Sequence, residues 1–306
     1  MSSLAEVTPI RTHAARRSAA RSGRPYTAFV LSGGASLGAL QVGMLRALYE
    51  RGVAADVLVG TSAGALNAAF VASRPQTPET AAKLARIWRD ISRQDIFPMS
   101  MRAIMGGLRG QRDHLVPDRG LRRQVRRYIE FDDLSEATVP LHVVAFDIVE
   151  GRETLLSAGP AVDAVTASAS IPGVFPPVDI GARRLIDGGV ANNTPISHAV
   201  ELGAERIYVL PTQDLSRSLE YAPRGALDVA IYGVSLLLDG RLKNDIAQYA
   251  GQAELIVLPA PNPRQVQPTN FDHSSQLIGE AHAATRALLD QRDALPAAVS
   301  PARRAA

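Results

Sequence analysis

The stretch Val57-Leu58-Val59-Gly60-Thr61-Ser62-Ala63-Gly64-Ala65-Leu66-Asn67-Ala68-Ala69-Phe70 sets the reading of the chain. An apolar run ends at Gly60, a serine stands between two glycines, and a small-residue segment compatible with a helix follows. This is Gly-x-Ser-x-Gly in a strand–turn–helix setting. A serine on so sharp a turn is pushed out of the end of a sheet. Gly60 and Gly64 are expected to let the backbone take strained angles and a substrate come close. The next helix aims its first N–H groups and positive dipole end at the same point. Ser62 is therefore a candidate nucleophile. Taken alone, the motif fits equally well a tight βα turn that happens to contain serine.

The bulk of the sequence narrows the classes. The chain has 306 residues, 46% hydrophobic and 21% charged, enough for a large α/β core. It has no cysteine, which excludes disulfides, thiolate zinc sites and a cysteine nucleophile. Net charge is +3 and the isoelectric point about 9.4. No aromatic-rich basic stripe accompanies that charge, so no nucleic-acid partner is expected. Residues 1–25 carry Arg11, Arg16, Arg17, Arg21 and Arg24 among Ala and Ser, without an apolar period, and are expected to form a disordered tail. Residues 293–306 are expected to form another. The uncharged stretch over residues 25–45 contains Ser32, Gly33, Gly34, Ser36, Gly38, Gln41 and Gly43. That is too polar for the apolar segment of a secretory signal or for a membrane span. A cytoplasmic protein, peripheral to a membrane at most, is the expectation.

Upstream of Ser62, Ala28-Phe29-Val30-Leu31 reads as a buried strand. Ser32-Gly33-Gly34-Ala35-Ser36-Leu37-Gly38 follows, then a helix with Leu40, Met44, Leu45 and Leu48 at helical spacing. A glycine-rich turn of this kind suits a phosphate cradle, a set of backbone donors for an oxyanion, or a plain structural turn. Only one helix and one strand separate it from Ser62. Consecutive βα turns of a parallel sheet share its carboxyl edge, so the loop and Ser62 are expected to face each other.

Downstream, Thr77 and Pro78 mark a helix start, and Leu84, Ile87, Trp88 and Ile91 form its apolar face. Trp88 fits the core better than a ligand platform. Residues 95–120, with Met99, Met101 and Met105, read either as a surface loop or as a flexible mouth to an apolar pocket. Arg122, Arg123, Arg126 and Arg127 share a helix with Leu121, Val125, Tyr128 and Ile129. That basic face is either simply solvated or attracted to an anionic lipid surface. Leu141–Phe146, Thr154–Ser157, a Val178–Ile180/Arg184–Ile186 hairpin, Arg206–Leu210 and Glu254–Leu258 read as strands. A long helix carries Leu227, Ile231, Val234, Leu238, Leu242, Ile246 and Tyr249, and a last helix covers 274–290.

These pieces together resemble the patatin-like phospholipase family of acyl hydrolases. The matching parts are Ser32 to Ala39, Gly60 to Gly64, Ile171-Pro172 with Phe175-Pro176-Pro177, and Asp187-Gly188-Gly189 with Asn193 and Pro195. They stand in the family's order over residues 26–203, the expected catalytic domain, with residues 204–292 completing it. The resemblance implies a three-layer α/β/α fold with a mostly parallel central sheet and an enzyme acting on lipid esters. It also implies a Ser62–Asp187 dyad, an oxyanion loop supplied by Gly33, Gly34 and Ala35, and motif glycines at Gly38, Gly60, Gly64, Gly188 and Gly189. No cofactor and no metal are implied. The chain departs at two positions. The family's third glycine is Ala35, which keeps an N–H but would be strained at a positive φ. A frequent arginine is Leu37.

A dyad asks Asp187 to take the serine proton directly, without a histidine. An α/β-hydrolase with a Ser–Asp–His triad is the rival enzyme, with His198, His273 and His282 as candidates. A non-catalytic protein of the same fold, holding an acyl chain or a nucleotide, is the alternative from another class.

Overall fold

The structure, a computed structural model, describes residues 10–97, 113–213, 226–262 and 266–294, and of residues 10–11 and 226–235 only the backbone. The mouth reading of Met99, Met101 and Met105 falls outside the described residues, as do residues 1–9 and 295–306 of the expected tails. So do the side chains of Leu227, Ile231 and Val234.

The chain first forms helix α1 (Ile10–Arg21), strand β1 (Thr27–Leu31), α2 (Ala39–Glu50), β2 (Val57–Thr61), α3 (Ala63–Ala72), α4 (Pro78–Asp90), α5 (Arg93–Ile96) and α6 (Arg119–Tyr128). It continues with β3 (Leu141–Asp147), β4 (Arg152–Leu156), α7 (Ala161–Ser168), β5 (Val178–Ile180), β6 (Arg183–Asp187), α8 (Gly189–Asn192) and α9 (Ile196–Glu201). It ends with β7 (Arg206–Leu210), α10 (Ala226–Tyr249), β8 (Glu254–Val257) and α11 (Ser274–Ala294). The strands make one eight-stranded sheet. β3, β2, β1, β7 and β8 are neighbours in that order and run parallel. β4 and β6 both pair antiparallel with β3.

Alternation along the strands separates two cores. Phe29, Leu31, Leu58, Val143, Ala145 and Leu210 pack with residues of α2, α3, α4, α6, α7 and α11. Ala28, Val30, Val57, Val59, Val144 and Val209 face the other way, toward residues of α1, α9 and α10. The result is the three-layer α/β/α arrangement. Helix α11 lies along α2. The two touch at Gly43, where a Cβ would lie 2.2 Å from the Ile278 carbonyl oxygen. No helix among the described residues is long and apolar enough to cross a membrane.

The N-terminal region departs from expectation. Residues 10–21 are helical, not part of a disordered tail. Helix α1 has no apolar stripe, but small side chains fit it to the sheet's second face. Ala19 is fully buried there and Ala15 packs beside it. Thr12 Oγ1 meets the buried His142 Nε2 at 3.2 Å. At the other end, α11 runs to Ala294, past the expected start of the C-terminal tail.

Candidate active site

Strand register brings the expected pair together. Residues Val143 to Asp147 of β3 pair with β4. β2 pairs with β3 up to Thr61↔Val144, and β6 pairs with it from Asp187↔Ala145 to Leu185↔Asp147. One edge of a strand serves one partner at each residue. Since β4 overlaps both β2 and β6 along β3, it occupies one edge, and β2 and β6 share the other. The two strands meet end to end there. β2 leaves the sheet at Ser62 beside the point where β6 leaves at Asp187. The crossover is tight, because a Cβ at Gly188 would stand 2.4 Å from the Val144 carbonyl oxygen.

Ser62 sits on a strained turn, with φ 55° and ψ −122°. A β-carbon in that region is unfavourable and persists only when the surroundings fix it. Several contacts do so. The Ser62 N–H donates to Ser168 Oγ at 2.8 Å, and Ser168 Oγ donates to the Val144 carbonyl at 2.6 Å. Thr61 Oγ1 donates to the Asn192 carbonyl at 2.9 Å. Gly60 and Gly64 contribute close packing and not backbone freedom, since neither has a positive φ. A Cβ at Gly64 would lie 2.1 Å from the Leu31 carbonyl oxygen.

Asp187 is 6% exposed. Its Oδ1 accepts the Gly189 N–H at 2.8 Å. Burial dominates its electrostatics and raises its pKa from 3.8 to about 6, against the opposing influence of that N–H and of the Ser62 hydroxyl. The contact with Ser62 Oγ is looser than a hydrogen bond of standard geometry, as is common before substrate binds.

The glycine loop lies across from the pair, with a Cβ at Gly33 3.1 Å from Ser62 Cβ. Its carbonyl and N–H are both engaged. The Gly33 N–H donates to the Asn193 carbonyl at 3.0 Å, and the Gly33 carbonyl accepts from Asn193 Nδ2 at 3.3 Å and from Thr212 Oγ1. This corrects the expectation that Gly33 offers an oxyanion donor. The N–H groups of Gly34 and Ala35 have no partner among the described residues. Ala35 has φ 48°, the strain expected of an alanine there. Beyond it, the Ser36 N–H donates to the Pro268 carbonyl at 2.9 Å, so the C-terminal region holds the loop. Gly38 packs against the Trp88 ring, 2.9 Å from where a Cβ would stand.

Ser62 opens into a cavity of about 510 Å³, counting the open space at its mouth. Its wall is apolar and includes Leu66, Trp88, Phe97, Tyr128, Phe175 and Phe271. Trp88 is thus both core and pocket wall. Its Nε1 donates to Asn67 Oδ1 at 2.8 Å, and Asn67 Nδ2 donates to Gln41 Oε1 at 2.8 Å. Gln41 Nε2 in turn donates to the Ser32 carbonyl at 2.8 Å, which ties the pocket wall to the start of the glycine loop.

The candidate histidines are engaged elsewhere. His198 is on α9 in the opposite layer, with Nδ1 3.1 Å from Glu201. His282 Nε2 is 2.8 Å from Glu50. His273 begins the turn into α11 and hydrogen-bonds neither Ser62 nor Asp187. No group of three or more His, Asp or Glu side chains among the described residues converges on a metal position. Sequence reasoning missed Ser168, Thr212, Gln124 and Phe271. The alternation Ala167-Ser168-Ala169-Ser170 before Ile171-Pro172 hints at a special helix end, but nothing local says that Ser168 faces Ser62.

A family model described as patatin-like phospholipase matches residues 29–200. An uncharacterized NTE family protein of Mycobacterium tuberculosis is 30% identical over 181 residues, covering 59% of this chain and 28% of that protein. Lysophospholipase NTE1 of Mycosarcoma maydis is 25% identical over 189 residues, covering 59% of this chain and 9% of that protein. The chain therefore spans only a small part of these relatives. Human GIVD cytosolic phospholipase A2, solved with methyl gamma-linolenyl fluorophosphonate, superposes with a TM-score of 0.42 at 13% identity, over 92% of this chain and 61% of that one.

Proposed function

The chain belongs to the patatin-like phospholipase family, and on that footing we propose that it is a serine acyl hydrolase cleaving carboxylic esters of lipids through a Ser62–Asp187 dyad. The observation that carries this is the convergence of a strained serine and a buried aspartate at the mouth of an apolar pocket. Asp187 takes the hydroxyl proton as Ser62 Oγ attacks the ester carbonyl. The tetrahedral oxyanion forms against the Gly34 and Ala35 N–H groups and the N-terminal end of α3. Collapse expels the alcohol, which receives the proton from Asp187 and leaves the acyl group on Ser62. Asp187 then deprotonates a water that attacks the acyl carbon, and returns that proton to Ser62 Oγ as the acyl–Oγ bond breaks and the acid leaves. A base with a pKa near 6 is better matched to neutral pH than an ordinary aspartate. Each well-aimed oxyanion donor contributes about 3–4 kcal/mol. The apolar wall suits the acyl chain.

A fluorophosphonate probe tests this. Wild-type protein is expected to be labelled, and Ser62→Ala to lose the label with its melting temperature within a few degrees of wild type. A well-folded wild type that takes no label would sink the hydrolase reading and favour a non-catalytic binder.

A peripheral contact with anionic membrane belongs to the same proposal. Helix α6 turns Leu121, Gln124 and Tyr128 to the pocket. Its outer face exposes Arg119, Arg123, Arg126 and Arg127, none ion-paired among the described residues, whereas Arg122 is held by Asp118 and Asp163. Each such arginine contributes about 1 kcal/mol near an anionic leaflet. Replacing the four exposed arginines with Gln is expected to weaken sedimentation with phosphatidylglycerol vesicles roughly 1,000-fold while leaving hydrolysis of a soluble ester unchanged. Equal sedimentation of the two proteins refutes this role for α6.

A further inference from the structure

Apart from Ser62, the pocket wall is apolar except where α6 crosses it. Gln124 and Tyr128 stand one helical turn apart there, 3% and 1% exposed, and both line the cavity. Gln124 Oε1 is the acceptor for Arg127 Nη1 at 3.5 Å, which points the amide nitrogen the other way. Neither Gln124 Nε2 nor the Tyr128 hydroxyl has a hydrogen-bond partner among the described residues. Burial holds Tyr128 in its protonated form, so the hydroxyl remains a donor.

The Tyr128 ring is placed by a neighbour further along α3 than the nucleophile. Tyr128 packs edge-on against Phe70, with ring centroids 5.9 Å apart. Phe70 is about two turns beyond Ser62 along α3, ~12 Å at 1.5 Å per residue. Leu66, one turn beyond Ser62, lines the same cavity. An unsubstituted hydrocarbon chain in this cavity would cover two buried donors and match neither of them. Buried polar groups left unmatched are what lets a site reject a ligand that lacks the complementary atom.

We propose that Gln124 and Tyr128 form a polar subsite for an acyl chain that carries an oxygen function, such as a hydroxyl or oxo group, several carbons from its ester. Gln124 Nε2 and the Tyr128 hydroxyl donate to that oxygen. The inference rests on the acyl-hydrolase reading, yet it is a statement about binding and is testable without turnover.

Trp88 is the chain's single tryptophan and lines the same pocket, so its emission reports occupancy. Wild-type protein, Gln124→Met and Tyr128→Phe are titrated with dodecanoic acid and with dodecanoic acids hydroxylated at successive carbons. Both substitutions keep side-chain size and leave the Ser62 region intact. At least one hydroxylated acid is expected to bind wild type as tightly as the plain acid. Gln124→Met is expected to lower its affinity, relative to the plain acid, roughly 10-fold, and Tyr128→Phe roughly 3-fold. The proposal is overturned if every hydroxylated acid binds wild type much more weakly than the plain acid. It is also overturned if the ratio is unchanged in both variants, or if no acid alters the emission. Failure of the hydrolase reading shows separately, as absent Ser62 labelling, and leaves these binding ratios readable.

Discussion

Replacing Asp187 with asparagine should abolish turnover and, at neutral pH, stabilise the fold. Burial raises the carboxyl pKa from 3.8 to about 6. The folded state therefore holds this proton more tightly than the unfolded chain does. The stability that follows is fully present below about pH 4, where both states are protonated, and is lost as pH rises through 6, where folding must bury an ionised group. At about 1.4 kcal/mol per pH unit, that interval amounts to about 3 kcal/mol at pH 8. Asparagine is nearly isosteric, stays neutral, and keeps an oxygen for the Gly189 N–H. Denaturant titrations of wild type and Asp187→Asn at several pH values read the effect as a difference, so all other carboxylates cancel. The difference should be near zero at pH 4 and reach about 3 kcal/mol in favour of asparagine at pH 8, roughly 6–10 °C in melting temperature. The same ionisation should set the acid limb of kcat/KM, which rises through about pH 6. A stability difference that does not change with pH would refute the burial argument. Wild-type turnover by Asp187→Asn would refute the dyad.

Three further substitutions probe the supports of the site. Ser168→Ala removes the hydroxyl between the Ser62 N–H and the Val144 carbonyl. Leaving both unmatched should cost about 1–3 kcal/mol of stability. It should also lower kcat on a soluble ester roughly 10-fold, with KM nearly unchanged, because the nucleophile is no longer held. A lower melting temperature with unchanged kcat would make Ser168 merely structural. Ala35→Gly should be tolerated, since relief of the positive φ, about 1 kcal/mol, offsets the added freedom of the unfolded chain. Gly34→Ala should not be, because its Cβ would stand 2.3 Å from Thr212 Oγ1. If kcat falls at Ala35 and not at Gly34, the oxyanion loop has been placed wrongly.

The motifs around Ser62 and Asp187 were legible because each is local. A strand, a turn and a helix start fall within a dozen or so residues, and their composition states the geometry. What was not legible depends on partners far along the chain. The Gly33 N–H looks free in sequence and is engaged by a carbonyl at Asn193. Helix α1 shows no apolar period because its buried contacts are made by Ala15, Ala19 and Thr12. The glycines of Gly-x-Ser-x-Gly suggest backbone freedom, yet the positive φ falls on Ser62 itself while Gly60 and Gly64 leave room for neighbouring backbone. Composition distinguishes a glycine from other residues but not the two reasons for needing one.

The proposed dyad would make strand register decisive here. In a triad, an imidazole spans the distance between serine and carboxylate, and its rotation absorbs small errors. A carboxylate acting alone must be delivered to the serine by the backbone. This fold does so by ending a parallel strand and an antiparallel one at adjacent residues of β3, Val144 and Ala145. Side chains alternate along a strand, so a slip of one residue between β6 and β3 would turn Asp187 to the opposite face of the sheet. The contacts that oppose such a slip cluster at the same junction: the Asp187 N–H on the Ser170 carbonyl at 2.9 Å, Gly188 against the Val144 carbonyl, and Ser168 between Val144 and Ser62. The segment from Ser168 to Ser170 thus joins both halves of the site to one strand, which places the sequence between the two motifs under as tight a geometric demand as the motifs themselves.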